Sequence, residues 1–192
     1  MLTVPVSYLS SLHKLSLKQY SQMIEHGILN EDSKIELLEG YLVERIQRSP
    51  LHDCTVNIVS SCLHPVMPPA WNYRILCSLE FDQSQPEPDF AIVRGNSRTY
   101  VVRHPRGEDV GLIIEVSEKS LERDRIDKAR IYARAGIVEY WIVNLVDRQI
   151  EVHTLPVGDG CTNVQNYTAG QSLPLTLEGV VAATIPFEEL MP

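Results

Sequence analysis

Gly111-Leu112-Ile113-Ile114-Glu115-Val116 is an apolar run broken by one carboxylate, and the way that carboxylate is satisfied decides how the chain is read. The near-continuous apolar character is that of a strand covered on both faces. Burying an ionised glutamate there is costly unless it is paired or binds a cation. Two other segments supply what Glu115 needs. Pro86-Glu87-Pro88-Asp89 sets a second acid at the entry to an earlier strand, and Asp124, Lys128 and Tyr132 recur at every fourth residue of a following helix, which places them on one helical face. The three segments read as one divided active site.

Outward from this point, strands are expected at about Tyr73–Phe81, Asp89–Val93 and Val110–Val116. A helix from Leu121 to Ala135 follows, closed by Gly136 in the position of a left-handed cap. Val138–Leu145 reads as a buried strand and Arg148–Leu155 as its hairpin partner. Turn residues dominate Gly158–Gly179, and a short tail, Val180–Leu190, closes the chain. On the N-terminal side, Ser16 caps a lid-like helix through about His26, with Gly27 beyond its end. Lys34–Ile46 reads as a hairpin about Glu39-Gly40, which stands in for the favoured Asp-Gly turn. A helix with Val56, Val59, Leu63 and Val66 on its buried face runs from near His52 to Pro68-Pro69. The resulting order, α-β-β-β-α-β preceded by a helix and hairpin, is an α/β arrangement: a mixed sheet between helices, in one domain over residues 1–192.

Composition narrows the function. The chain of 192 residues is 44% hydrophobic and 22% charged, enough for one substantial core. It has no apolar run long enough to span a membrane and no basic, apolar leader at its start, so a cytoplasmic protein is expected. Cys54, Cys62, Cys77 and Cys161 form neither a Cys-x-x-Cys pair nor a regular framework, which argues against a zinc ribbon or a disulfide scaffold. They read as buried free thiols. The net charge of −8 disfavours nucleic acid at first sight, but residues 94–134 hold ten basic against seven acidic residues, a locally positive segment that suits phosphate. A solvated arginine-rich helix face accounts for the same pattern equally well. Tyr140-Trp141 reads as core packing, and no histidines share a ligand spacing.

The segments Ile35-Glu36-Leu37-Leu38-Glu39-Gly40-Tyr41-Leu42-Val43, Ser49-Pro50-x-His52, Pro88-Asp89-Phe90-Ala91-Ile92-Val93, Ile114-Glu115-Val116, Asp124-Arg125-x-x-Lys128-x-x-x-Tyr132-Ala133-x-Ala135-Gly136 and Glu139-Tyr140-Trp141-Ile142-Val143 together resemble a known family. It is the bacterial restriction-endonuclease family formerly catalogued as a domain of unknown function, within the PD-(D/E)XK nuclease superfamily. The resemblance implies a restriction-endonuclease-like fold and a metal-dependent endonuclease acting on DNA, a homodimer because a duplex has two strands to cut, with no membrane and no small-molecule cofactor. Phosphodiester cleavage needs a divalent ion and a positioned cation. Asp89, Glu115 and the main-chain carbonyl of Val116 would hold Mg²⁺ or Mn²⁺, since hard oxygen ligands suit these ions. The chain departs from the superfamily pattern at Ser117, where a lysine is expected; the family is similar in moving it to the helix, which makes Lys128 the candidate. Glu36 would approach the metal from the hairpin. His52, Asp124 and Tyr132 would support the site, and Arg98, Arg103 and Arg125 would contact nucleic acid. Two rival readings keep the fold: an inactive nucleic-acid- or protein-binding module, and an interaction protein in which Glu115 is merely paired to Arg125 or Lys128.

Overall fold

Residues 11–192 are described by a computed structural model. Helix α1 (Leu17–Glu25) starts at Ser16, whose side chain and that of Gln19 form a reciprocal capping box that satisfies two orphan backbone donors. Its buried Tyr20 packs with Leu29 and Leu37, which ties it to the hairpin of β1 (Ile35–Leu38) and β2 (Tyr41–Glu44). The turn residues Glu39 and Gly40 both have positive φ, 50° and 86°, as a type I′ hairpin requires. Helix α2 (Pro50–Leu63) begins two residues before His52: Ser49 Oγ accepts the His52 N–H, and Pro50 fits a first turn whose N–H groups lack helical partners. After Leu63 only a short 3₁₀ turn continues it.

The strands β3 (Trp71–Ile75), β4 (Phe90–Arg94), β5 (Val110–Ser117), β6 (Glu139–Asn144), β7 (Gln149–Val157) and β8 (Gly160–Tyr167) form one sheet in that spatial order. All neighbours are antiparallel except β5 and β6, which are joined by the crossover helix that parallel pairing demands. The strand expected over Tyr73–Phe81 stops at Ile75 because Leu76, with φ 51°, turns out of the extended region. The crossover is not one α-helix, as expected, but α3 (Leu121–Arg123), a π turn (Asp124–Lys128) and α4 (Ala129–Arg134), ended by Gly136 at φ 74°. The turn-rich region 158–179 contains two strands, β8 and β9 (Ser172–Leu177), and the expected tail is largely β10 (Val180–Pro186), the partner of β9. All four cysteines are free, and none is buried, contrary to expectation; Cys54 and Cys62 lie on α2 and Cys161 on β8, elements with one wet face, and Cys77 lies in the loop after β3.

Two cores cover the two faces of the sheet. On one, α2 and the β9–β10 hairpin pack Val59, Leu63, Leu173 and Leu175 on Ile92, Leu112, Ile114, Val116 and Trp141. On the other, the crossover sets Ile131 and Tyr132 against Ala91, Ile113, Tyr140 and Ile142. Side chains alternate along a strand, so Glu115 and Ser117 share the face of Ile113 and point at the crossover.

Candidate active site

Asp89 immediately precedes β4, and its Oδ2 accepts the Val116 N–H at 2.9 Å, a link across to β5. The same oxygen lies 3.1 Å from His52 Nε2 near the start of α2. Glu115 is 26 residues further on and one strand over; its Oε2 accepts the Asp89 N–H at 3.4 Å, so the two acids interlock. Glu115 Oε1 accepts from Lys128 Nζ at 2.8 Å and from Tyr132 Oη at 2.6 Å. Glu36, from β1, stands 4.0 Å from Lys128 Nζ and accepts the Glu87 N–H at 3.2 Å. Asp124, the third residue of the crossover face, is held by the hydroxyls of Ser117 at 2.6 Å and Ser120 at 2.5 Å. It makes no ion pair with Lys128, so the i, i+4 bridge that the spacing permits is replaced by hydrogen bonds to the strand.

Glu36, His52, Asp89, Glu115, Asp124 and Lys128 line a cleft of about 990 Å³ and, as buried members of its lining, form its floor. Glu36, Asp89, Glu115 and Asp124 are all buried, against one buried lysine and one histidine, so the floor holds more carboxyl groups than cations. Burial pushes the Glu115 carboxyl well up, the charges of Asp124 and Asp89 add to this, and Lys128 pulls against it. Burial would lower Lys128, but Glu115, Glu36 and Asp124 outweigh it and keep the ammonium charged. Burial also acts to lower His52, and the hydrogen bond and charge of Asp89, then Asp53, leave it raised.

A surplus of buried carboxyl groups is the condition that a divalent cation relieves. Among the described residues, no three His, Cys, Asp or Glu side chains converge as a ready-made metal cage. The donors that fit are two carboxylates and the main chain. Asp89 Oδ1 takes no hydrogen bond among the described residues, and the Val116 carbonyl lies on the same strand edge as the N–H bonded to Asp89, because the two groups of a β residue face one side. A site with few protein oxygens completed by water suits Mg²⁺ or Mn²⁺ better than Zn²⁺.

A family profile described as "Uma2: Putative restriction endonuclease" matches residues 17–185, from α1 to the end of β10. The chain belongs to the Uma2 family. Among solved structures, a protein from Anabaena variabilis ATCC 29413 described as a "putative nuclease belonging to DUF820" superposes with a TM-score of 0.68 at 10% identity, over 92% of this chain and 97% of that one. At that identity the likeness establishes the fold, which is consistent with the PD-(D/E)XK superfamily. No curated protein matches the chain in sequence.

In this Uma2 chain the fold brings Asp89, Glu115, Val116, Lys128, Glu36, His52, Asp124 and Tyr132 to one place, and leaves the three expected nucleic-acid arginines outside it. Arg103 makes a two-point contact with Asp109 and lies over Tyr100. Arg125 is bound by Glu151 and Asp147 on β7 and its turn. Arg98, on the loop from β4 to β5, does not line the cleft. Most of the local basic excess is neutralised within the fold: Arg94 pairs with Glu178, Arg106 with Glu80, Arg130 with Glu39 and Arg134 with Asp159. The cations that do line the cleft include Lys34, Lys119 and Arg123. Lys119 and Arg123 belong to the locally basic segment 94–134, whereas Lys34 stands alone in the sequence and is gathered to them only by the fold. No helix among the described residues is long and apolar enough to cross a membrane.

Proposed function

We propose that this protein hydrolyses phosphodiester bonds of DNA with Mg²⁺ or Mn²⁺ held by Asp89, Glu115 and the Val116 carbonyl. The observation that carries this reading is the division of labour on Glu115: Oε1 is saturated by Lys128 and Tyr132, while Oε2 has only a 3.4 Å contact, with the Asp89 N–H. An ion held there would supply Lewis-acid polarisation of the phosphate and a hydroxide at neutral pH.

The side chains then have separate duties. Tyr132 fixes the rotamer of Glu115. Lys128 sets a permanent positive charge at the cleft floor, where a phosphate would gain negative charge in the transition state; placed groups of this kind contribute about 10²–10³ in rate. His52 orients Asp89, and the two serines anchor Asp124 and with it the π turn that ends at Lys128. Glu36 raises the negative field around the lysine from the hairpin.

The buried Lys128–Glu115 pair also favours a second reading, in which the site is a structural ion pair in a binding module that has lost its chemistry. Mn²⁺ titration followed by electron paramagnetic resonance, with cleavage of plasmid DNA as the activity readout, separates the two. One ion bound by the parent, lost in both Asp89→Asn and Glu115→Gln together with cleavage, supports the nuclease. A parent that binds no ion and cuts no DNA leaves the binding module.

A further inference from the structure

Leu76 is out of place by two independent measures. Its φ of 51° lies in the left-handed region that a branched, bulky side chain avoids, and its side chain remains 37% exposed instead of joining the core. Glycine takes this conformation freely. Leu76 stands opposite Asp89 as β3 leaves the sheet, its N–H donating to the Asp89 carbonyl at 3.2 Å, and it lines the same cleft as Asp89, Glu115 and Lys128. Strain of this kind persists where the surroundings enforce it, and it concentrates at functional sites.

The same cleft is lined by Ile24 of α1, 43% exposed, and by Leu29. The cleft thus combines exposed apolar side chains with buried acids. Its positive groups lie on other elements: Lys34 before β1, Arg45 and Arg48 after β2, Lys119 before the crossover and Arg123 on α3. Lys34 and Lys119 are exposed and in no ion pair among the described residues. A paired duplex turns its sugar-phosphate rails outward and hides its base faces in the stack, so it has nothing to place on an apolar surface. An unpaired strand offers both surfaces at once, phosphate and exposed base; single-strand sites meet them with a positive groove and aromatic stacking platforms, and here the apolar side chains of Leu76 and Ile24 stand in the platform's place. Size agrees: a cleft of about 990 Å³ is at the upper end of pockets for small ligands, and the acids within it are buried, 7% exposed at Asp89 and 3% at Glu115.

We propose that the cleft takes an unpaired segment of DNA, with a phosphate at the Asp89–Glu115 floor and a base against Leu76 and Ile24, and that intact duplex is a poor ligand. The proposal rests on the nuclease reading above and sharpens its substrate. It also removes the need for two protomers, because a single strand is cut at one site.

The test uses the whole protein with Ca²⁺ in place of Mg²⁺, and follows fluorescence anisotropy of a labelled single strand of about 12 nucleotides, within the range such sites cover, and of its blunt duplex. The single strand is expected to bind about tenfold tighter, the scale of one base–platform contact. Leu76→Gly relieves the backbone strain, so its melting temperature should not fall, yet its single-strand affinity should drop about tenfold; Ile24→Glu, at an exposed position, should do the same and serves if the glycine variant is unstable. Equal or tighter binding of duplex, or full single-strand affinity in both folded variants, overturns the proposal. Metal-dependent hydrolysis of bis(p-nitrophenyl) phosphate, which needs no base contact, reads the chemistry separately. Hydrolysis by the parent together with a duplex preference overturns only the unpaired-strand inference, whereas no hydrolysis of this ester or of any DNA overturns the nuclease reading and this inference with it.

Discussion

The Ser117 hydroxyl donates to Asp124 Oδ2 at 2.6 Å, so the residue at the superfamily's usual lysine position tethers the helical segment that carries Lys128. Both partners are buried, at 0% and 1% exposure. Replacing Ser117 by alanine removes one of the two hydroxyls satisfying a buried carboxylate, which costs about 1–3 kcal/mol. Ser117→Ala is expected to lose stability of that order in urea unfolding and to slow DNA cleavage in the same variant. A variant with parental stability and rate would show that the tether has no part in placing Lys128.

Lys128 is the partner that Glu115 has without metal. Removing one member of a buried pair while the other stays charged costs about 3–5 kcal/mol, unless another cation replaces it. Lys128→Met, which keeps the length of the side chain, is expected to lose cleavage by about 10²–10³ and to become more dependent on metal for its stability than the parent. Ligand that binds only the folded state stabilises it in proportion to RT ln(1 + [L]/Kd). A rise in melting temperature with Mn²⁺ that is larger in the variant than in the parent checks this; an equal rise, or undiminished cleavage, contradicts the role given to Lys128.

The strand carboxylate, the second acid and the lysine were legible in the sequence because each breaks a local rule: a charge in an apolar run, an acid after proline at a strand entry, a lysine in register with two polar residues on a helix. The hairpin turn at Glu39-Gly40 and the caps at Ser16 and Gly136 were legible for the same reason, since one or two residues fix such geometry. What was not legible is set by distant packing. The π turn over Asp124–Lys128 leaves no composition signal, because its residues are those of an ordinary helix. Strand β8 reads as a loop since Thr162-Asn163-Val164-Gln165-Asn166 is polar on an exposed edge, where strand propensity depends on the neighbours. The alternation of Leu173, Leu175 and Leu177 in β9 was readable at period two, but Gly170 and Pro174 obscured it. The arginine-rich segment suggested a substrate surface that the fold spends largely on internal ion pairs, information that a single chain's charge pattern does not contain.

Glu139, at the start of β6, is buried with Trp141 Nε1 donating to its Oε1 at 2.7 Å. Burial pushes its carboxyl from an ordinary 4.5 up to about 7, against the lowering effect of the Trp141 bond and of the Thr176 backbone. The folded protein therefore holds a proton that the unfolded chain releases between these two values, and this group's contribution to stability is full below about pH 4.5, falls as pH rises towards 7, and levels off above. At 1.36 kcal/mol per pH unit the full swing is about 3 kcal/mol. Glu139→Gln keeps an acceptor for Trp141 and cannot ionise, so urea unfolding at pH 5 and pH 8 should show a smaller loss in the variant than in the parent. Parallel losses would place the pH dependence elsewhere.

The last prediction concerns where the substrate lies, because the fold separates two sets of cations that are mingled along the sequence. Arg103 is engaged with Asp109 and Arg98 is outside the cleft, whereas Lys34 and Lys119 line it with no acid partner among the described residues. Removing one cation that neutralises a phosphate should reduce the slope of log K against log[salt] by about 0.7 on a single strand or about 0.9 on a duplex. Lys34→Ala/Lys119→Ala is expected to weaken DNA binding in Ca²⁺ and to flatten that slope by the equivalent of one to two phosphates. Arg98→Ala/Arg103→Ala should leave it unchanged and lose only the little stability that an exposed pair provides. The reverse outcome, a flatter slope for the arginine pair and none for the lysines, would move the path of the DNA from the cleft mouth to the loop between β4 and β5.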